Sequence, residues 1–257
     1  LLLPYVFLGI PIFIINVHYG FAPLQLLKSY FIQQRASTLW FISALFVQFA
    51  IAFYIYKLIN HAYIKWLIIM LIAFFGIVLW HCNITSLPWN ADVSMVALPF
   101  FCLGHDLHNN KTFHNLLDMG TNAKYVYFVF LINIVGTIIM CNIPFYKVDM
   151  CEAHFSFEPI AYITAFAGII AICAFSKKFF LKYIAYIGEN SLVFFVWQQD
   201  IAIMVMSKSL EKYHILDTPS SIDVASRNLI MVCGSLLILT LLNEIIIRTN
   251  LKVLIGK

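Results

Sequence analysis

Residues Tyr186–Met206 read YIGENSLVFFVWQQDIAIMVM. A polar turn, Gly188-Glu189-Asn190-Ser191, runs straight into an apolar, helix-length segment, and Gln198, Gln199 and Asp200 interrupt that segment before it resumes. At 1.5 Å per residue, Gln198 lies roughly 12 Å along a helix that begins at Asn190. In a hydrocarbon core about 30 Å thick, that is close to the midplane. A carboxylate at that depth costs about 2.5–3.5 kcal/mol or more. A chain that keeps two amides and a carboxylate there needs polar partners or a wet cavity around them, so the rest of the sequence is read as the wall of that site.

The composition supports a membrane setting. Of 257 residues, 62% are hydrophobic and 11% charged, with a mean hydropathy of +0.89. A soluble domain carries about 25% charged residues. A soluble globule of this size could not hide so much apolar surface. The 24 Phe and 13 Tyr against 10 Gly favour packed helices over a barrel, and the in–out alternation of transmembrane strands is absent. The expected fold class is therefore all-α, a polytopic transmembrane helix bundle with the lipid bilayer as its partner.

The net charge of +4 is spread over short loops with no basic run. That distribution suits orientation in a membrane and does not imply nucleic acid, so no nucleic-acid partner is expected. The chain opens Leu1-Leu2-Leu3-Pro4, without an initiator Met or a charged leader, and is read as the remainder of a longer protein forming one domain over residues 1–257. Six cysteines are scattered without CxxC or His/Cys metal spacing. Cys102, Cys173 and Cys233 fall in apolar spans, and Cys82, Cys141 and Cys151 lie near one face, where a bridge is the minority expectation.

About eight spans meet the length and apolarity expected of crossing or buried helices. They are Leu1–Val17, Leu39–Tyr56, Trp66–Trp80, Val93–Leu103, Tyr125–Tyr146, Pro159–Phe175, Ser191–Met206 and Leu229–Ile247. Val93–Leu103 is too short to cross without its flanks. Pro4, Pro11 and Pro99 are expected to kink or break their helices. The segments between spans carry ten basic residues on one side, Lys177 and Lys178 among them, against six on the other. The first set is placed in the cytoplasm, with both chain ends. His18–Thr38 and Ser207–Asn228, assigned outside, are each long enough for a short surface helix. Asn83-Ile84-Thr85 matches the glycosylation acceptor pattern, a match too short to weigh much.

Soluble-enzyme motifs are absent: there is no GxGxxG, P-loop, HExxH or GxSxG. His105 and His108, three apart and followed by His114, share a helix face at the end of the fourth span. The plain reading is interfacial histidines beside Lys111. The others are a metal pair with Asp106 and a phosphate contact for a nucleotide-bearing donor. Trp40 opens the second span as an aromatic-belt residue, and Gln48 follows on nearly the same face, bonding a neighbour or facing a cavity. Glu244 with Asn243 is expected to snorkel to the interface. Asp200 sits too near a span centre for that. Ser191 and Gln198 share a face with Phe194 and Phe195 between them, while Asp200 points elsewhere.

LLLPYVFLG at Leu1–Gly9, STLWFISALF at Ser37–Phe46, LPFFCLG at Leu98–Gly104, YIGENSLVFFVWQ at Tyr186–Gln198 and LKVLIGK at Leu251–Lys257 occur in this order. Together they resemble the acyltransferase-3 family of integral membrane O-acyltransferases, nearest its fucose 4-O-acetylase-like branch. The resemblance implies a bundle of about ten helices. It implies transfer of an acyl group, acetyl in the usual case, from cytoplasmic acyl-CoA as donor substrate, with no bound cofactor or metal. The acceptor is a hydroxyl of a cell-surface or lipid-linked glycan or another alcohol, and the location is the inner, plasma membrane of a bacterial cell. The family's His, read as general base, and its Arg are expected on a helix upstream of Leu1, so no residue of this chain takes the catalytic role. Where the family's late motif ends in His, this chain has Gln198, which bonds but does not titrate. Leu45 stands where one branch has Glu, which favours the branch with a Trp-Phe pair such as Trp40-Phe41.

The substrate-binding candidates are thus Trp40, Gln48, Ser191, Gln198 and Gln199, with His105 and His108 as donor contacts. A different class stays open: a secondary transporter or flippase using Asp200 and Glu244, although no inverted repeat supports it. An inactive relative is a third reading.

Overall fold

The computed structural model describes residues 2–32, 38–84, 87–108, 110–117, 119–142, 148–151, 154–155, 158–179, 181–212, 221–249 and 251. The helices are α1 (Leu2–His18), α2 (Pro23–Ile32), α3 (Trp40–Leu58), α4 (Ala62–His81), α5 (Ala91–His108), α6 (Lys111–Leu116) and α7 (Met119–Cys141). They continue with α8 (Glu158–Lys178), α9 (Lys182–Glu189), α10 (Ser191–Trp197), α11 (Met204–Lys212) and α12 (Ser221–Arg248). One two-residue ladder pairs β1 (Val148–Asp149) with β2 (His154–Phe155). The protein is an all-α, polytopic helix bundle, as its composition requires.

Every expected span is helical over its described residues except Leu39 and Asn142, which are turn residues at span ends. Among the described residues, five helical stretches are long and apolar enough to cross a bilayer: Trp40–Leu58, Ala62–His81, Ala123–Cys141, Pro159–Lys178 and Ser226–Arg248. Leu2–His18 is a shorter apolar helix. The short Val93–Leu103 span borrows flanks at both ends to become the 18-residue α5, about 27 Å long. Outward faces carry large apolar residues, such as Leu67 (60% exposed), Phe74 (63%), Ile172 (70%) and Leu237 (65%). Soluble monomers do not expose apolar surface on this scale. Lipid is the solvent that accepts it.

Three expectations need correction. Prolines do not break the helices: α1 runs on through Pro11 and α5 through Pro99, and Pro4 sits in the first turn of α1, where the missing N–H has no helical partner to lose. The Ser191–Met206 span is not one α-helix. It is α10, then a π-helix over Gln198–Ile203, then α11. Of the outer segments, His18–Thr38 does hold a surface helix, α2, whereas the helical residues described in the Ser207–Asn228 segment are the end of α11 and the start of α12, each continuous with a span. Thr85 of the acceptor pattern and residues 252–257 of the last motif lie outside the described residues.

The chain divides into two compact units, one of Leu1–Phe46 with Tyr183–Lys257 and one of Val47–Lys182. The first is built on a core of Leu8, Ile12, Leu39, Ile42, Val193, Val196, Trp197 and Leu239. Trp197 Nε1–H donates to the Leu8 carbonyl at 3.0 Å, next to Phe7, whose carbonyl Pro11 leaves without its usual helical donor.

The second unit packs α4 on α5 and α7 on α8. Both contacts rely on small residues that let backbones approach, the usual solution where lipid removes any hydrophobic drive between helices. A side chain at Gly76 would meet Met95 and Val96, each at 2.9 Å. A side chain at Gly136 would collide with Thr164 Oγ1, and one at Gly168 with Asn133 Nδ2 at 2.7 Å. Asn133 Nδ2 also donates to the Thr164 carbonyl at 2.9 Å. Gly136→Val is therefore expected to cost about 1–3 kcal/mol through overpacking, read as a lower midpoint of thermal unfolding in detergent; an unchanged midpoint rejects this account of the α7–α8 seam.

Candidate functional site

In the first unit, α9 ends at Glu189, and Asn190 turns the chain into α10. Asn190 is buried, and its Nδ2 donates to the Tyr186 carbonyl at 2.7 Å. Along α10 the buried side chains are Val193, Phe194, Val196 and Trp197, and in the π-helix Ile201 and Ala202. The complementary face presents Ser191, Phe195, Gln198 and Gln199, all exposed. Phe195 packs against Phe41, with ring centroids 4.9 Å apart, and lies 6.4 Å from Trp40. The structure thus sets Phe195 beside Trp40 and Phe41, with Ser191, Gln198 and Gln199 exposed along the same helical segment. They form an open face, not the enclosed pocket expected from the sequence.

Gln48 is separate from this group. It lies in the second unit, buried at 8% exposure.

Asp200 turns away from that face. Its Oδ2 accepts from the Thr38 hydroxyl at 2.9 Å and the Thr38 backbone N–H at 3.3 Å. Thr38 Oγ1 also lies 2.6 Å from the Val196 carbonyl. The start of α3 is thereby tied to the π-helix across a sequence separation of 162 residues. A π turn widens the helix by one residue per turn, and such turns recur at functional sites. Here it separates the outward amides from the inward carboxylate. The sequence carries only the three consecutive polar residues as a signal, with no indication of the π winding.

Asn243 and Glu244 do not simply snorkel. Asn243 is fully buried, and its Nδ2 donates to the Tyr186 hydroxyl at 2.7 Å. That hydroxyl donates in turn to Glu244 Oε1 at 2.9 Å. Arg248 Nε lies 3.2 Å from Glu244 Oε2. Burial pushes the Tyr186 phenol up, the Asn243 hydrogen bond opposing and the Glu244 hydrogen bond reinforcing. Burial likewise pushes Tyr30 up to about 12. Both phenols stay protonated at neutral pH and do not serve as bases, and the Tyr186 hydroxyl donates to Glu244. Tyr186→Phe removes the acceptor of a buried amide and is expected to cost about 1–3 kcal/mol. Thermal unfolding in detergent checks this, and no loss would mean that Asn243 finds another acceptor.

The second unit holds the other candidates. His105 and His108 are both exposed at the end of α5. The His105 ring stands edge-on to Tyr56 with centroids 4.5 Å apart, and its Nδ1 is 3.4 Å from Asp106 Oδ1. His114 Nε2 donates to the His108 carbonyl at 2.8 Å. Among the described residues no three His, Cys, Asp or Glu side chains gather as a metal site requires, and all six cysteines are unbridged. The sequence reading missed the role of Asp106. Tyr56 OH donates to its Oδ1 at 2.5 Å, and Trp66 Nε1–H to its Oδ2 at 3.1 Å. These three residues come from three helices and show no spacing that would reveal them. A second carboxylate, Asp92, is buried at the start of α5. It is 2% exposed beside Asn90 and Ser94. The preceding turn holds Trp89 at φ 59° and Asn90 at φ 52°.

Chemically, the open face offers two amides and a hydroxyl between aromatic rings. These groups hold and orient a hydroxyl or carbonyl but move no proton. Fold and site define a polytopic membrane protein with a polar face on a broken helix. The acyltransferase domain model of the acyltransferase-3 family matches residues 1–244, and the chain belongs to that family. No curated protein and no solved structure matches the chain.

Proposed function

We propose that this protein is an O-acyltransferase that moves an acyl group, acetyl in the usual case, from cytoplasmic acyl-CoA to a hydroxyl of a cell-surface or lipid-linked glycan, in the plasma membrane. Membership of a membrane acyltransferase family carries the reaction class. The observation that carries the site is the exposed Ser191–Phe195–Gln198–Gln199 face beside Trp40. Two amides open to a bilayer interior are costly unless a polar molecule meets them, and a sugar supplies matching hydroxyls and oxygens. Acyl transfer also needs a base, a stabilised oxyanion and exclusion of water from the thioester. In this reading the glutamines orient the acceptor and leave proton transfer to other groups, with His105 and His108 as contacts for the donor phosphates.

The transporter reading draws no support from its carboxylates. Asp200 is engaged by Thr38, and Glu244 by Tyr186 and Arg248. The test is transfer of labelled acetyl from acetyl-CoA to glycolipid or polysaccharide in membranes carrying the full-length protein. Incorporation above that of membranes lacking the protein supports the proposal. Its absence with every hydroxyl acceptor, together with proton- or sodium-coupled uptake, overturns it.

A further inference from the structure

Where α3 ends and α4 begins, the second unit has a groove of about 290 Å³ lined by Phe49, Phe53, Tyr56, Lys57, Phe101 and His105. Its mouth opens sideways, since Phe49 is 55% and Phe53 52% exposed. From Phe49 to Lys57 its apolar floor runs roughly 12 Å along α3, well into the hydrocarbon layer from the helix end. Lys57 folds back over that floor, with Nζ 5.7 Å from the Phe53 ring centroid. Lys65 Nζ lies 4.1 Å from the Tyr56 ring centroid. Among the described residues, neither lysine has a carboxylate partner. Asp106, which accepts hydrogen bonds from Tyr56 and Trp66, puts one carboxylate at the rim, 3.4 Å from His105 Nδ1, and forms no ion pair with either lysine.

Lys57 and the His105 imidazole thus line an apolar trough, with Lys65 over the Tyr56 ring at its edge. A free phosphate would meet the rim and leave the trough empty. A zwitterionic lipid would fill the trough while its choline opposes the lysines. We propose that this groove binds an anionic phospholipid, its phosphate on Lys57 and His105 and an acyl chain along Phe49, Phe53 and Phe101. Juxtamembrane lysines attract anionic head groups by about 1 kcal/mol each, roughly a fivefold preference per lysine. The inference needs no acyl transfer, but it gives His105 to the lipid phosphate in place of the donor contact named above, and displacement by CoA decides between the two.

The test is native mass spectrometry of the full-length protein in detergent, titrated with equimolar phosphatidylglycerol and phosphatidylcholine. The expected result is retention of one phosphatidylglycerol in roughly fivefold or greater excess. Lys57→Gln with His105→Gln should bring retention to parity, Lys57→Arg should keep the preference, and Lys208→Gln in the first unit should leave it unchanged. Gel-filtration profiles establish that each variant is folded. Equal retention of the two lipids by the wild type overturns the proposal, as does a preference that survives the double substitution. Displacement of the lipid by CoA or inorganic phosphate at comparable concentration also overturns it, by assigning the rim to a soluble phosphate.

Discussion

Gln198→Leu is expected to lower acyl transfer by about ten- to a hundredfold, the effect of losing one or two positioning hydrogen bonds to a reacting substrate. The side chain is exposed on the outward face of the π-helix, so its replacement disturbs no packing, and stability should stay within about 0.5 kcal/mol of wild type. Gln198→Asn, which keeps the amide on a shorter stem, should fall between the two. The measurement is initial rate against acceptor concentration in membranes of the full-length protein, with thermal unfolding in detergent as the control. Full activity in the leucine variant would mean that the amide contacts no substrate, and the open face would lose its assignment.

Asp200→Leu should behave in the opposite way. It removes the acceptor of the Thr38 N–H at 3.3 Å and one acceptor of the Thr38 hydroxyl at 2.9 Å. Thr38 is buried, and the segment it anchors opens α3 next to Trp40. A loss of about 1–3 kcal/mol is expected, seen as a lower unfolding midpoint and weaker expression in the membrane. Asp200→Asn keeps one oxygen acceptor and should lose less than half as much. A carboxylate that coupled ion flow would show another pattern: the asparagine variant would fold normally and lose function entirely. If the leucine variant unfolded no earlier than wild type, the Thr38 contact would not hold the two segments together.

These two neighbours have opposite roles because of one local feature that sequence reasoning could not supply. Helical periodicity correctly placed Ser191 and Gln198 on one face and turned Asp200 off it. It also placed the expected spans, because apolar length needs no tertiary information: a chain in lipid must satisfy its backbone within each helix. The ordered motifs led to the family in the same way. Exposure was not legible. The expected enclosed pocket is an open face, and Gln48 is buried in a different unit from Trp40, although both lie on α3.

Residues far apart in sequence decide such matters. Asp106 with Tyr56 and Trp66, Glu244 with Tyr186, and Asp200 with Thr38 are each pairings of polar groups on different helices or segments. Their partners are chosen by helix packing, and no spacing rule along the chain encodes that choice. The stretch Tyr186–Met206 shows the division. By itself the sequence determined that it is an apolar helical segment carrying an unusual polar break, because composition and period are local properties. Only the tertiary structure decided that the break winds as a π-helix, that its amides face outward and that its carboxylate holds Thr38. Those outcomes depend on which neighbouring helix offers a donor and which leaves a face uncovered.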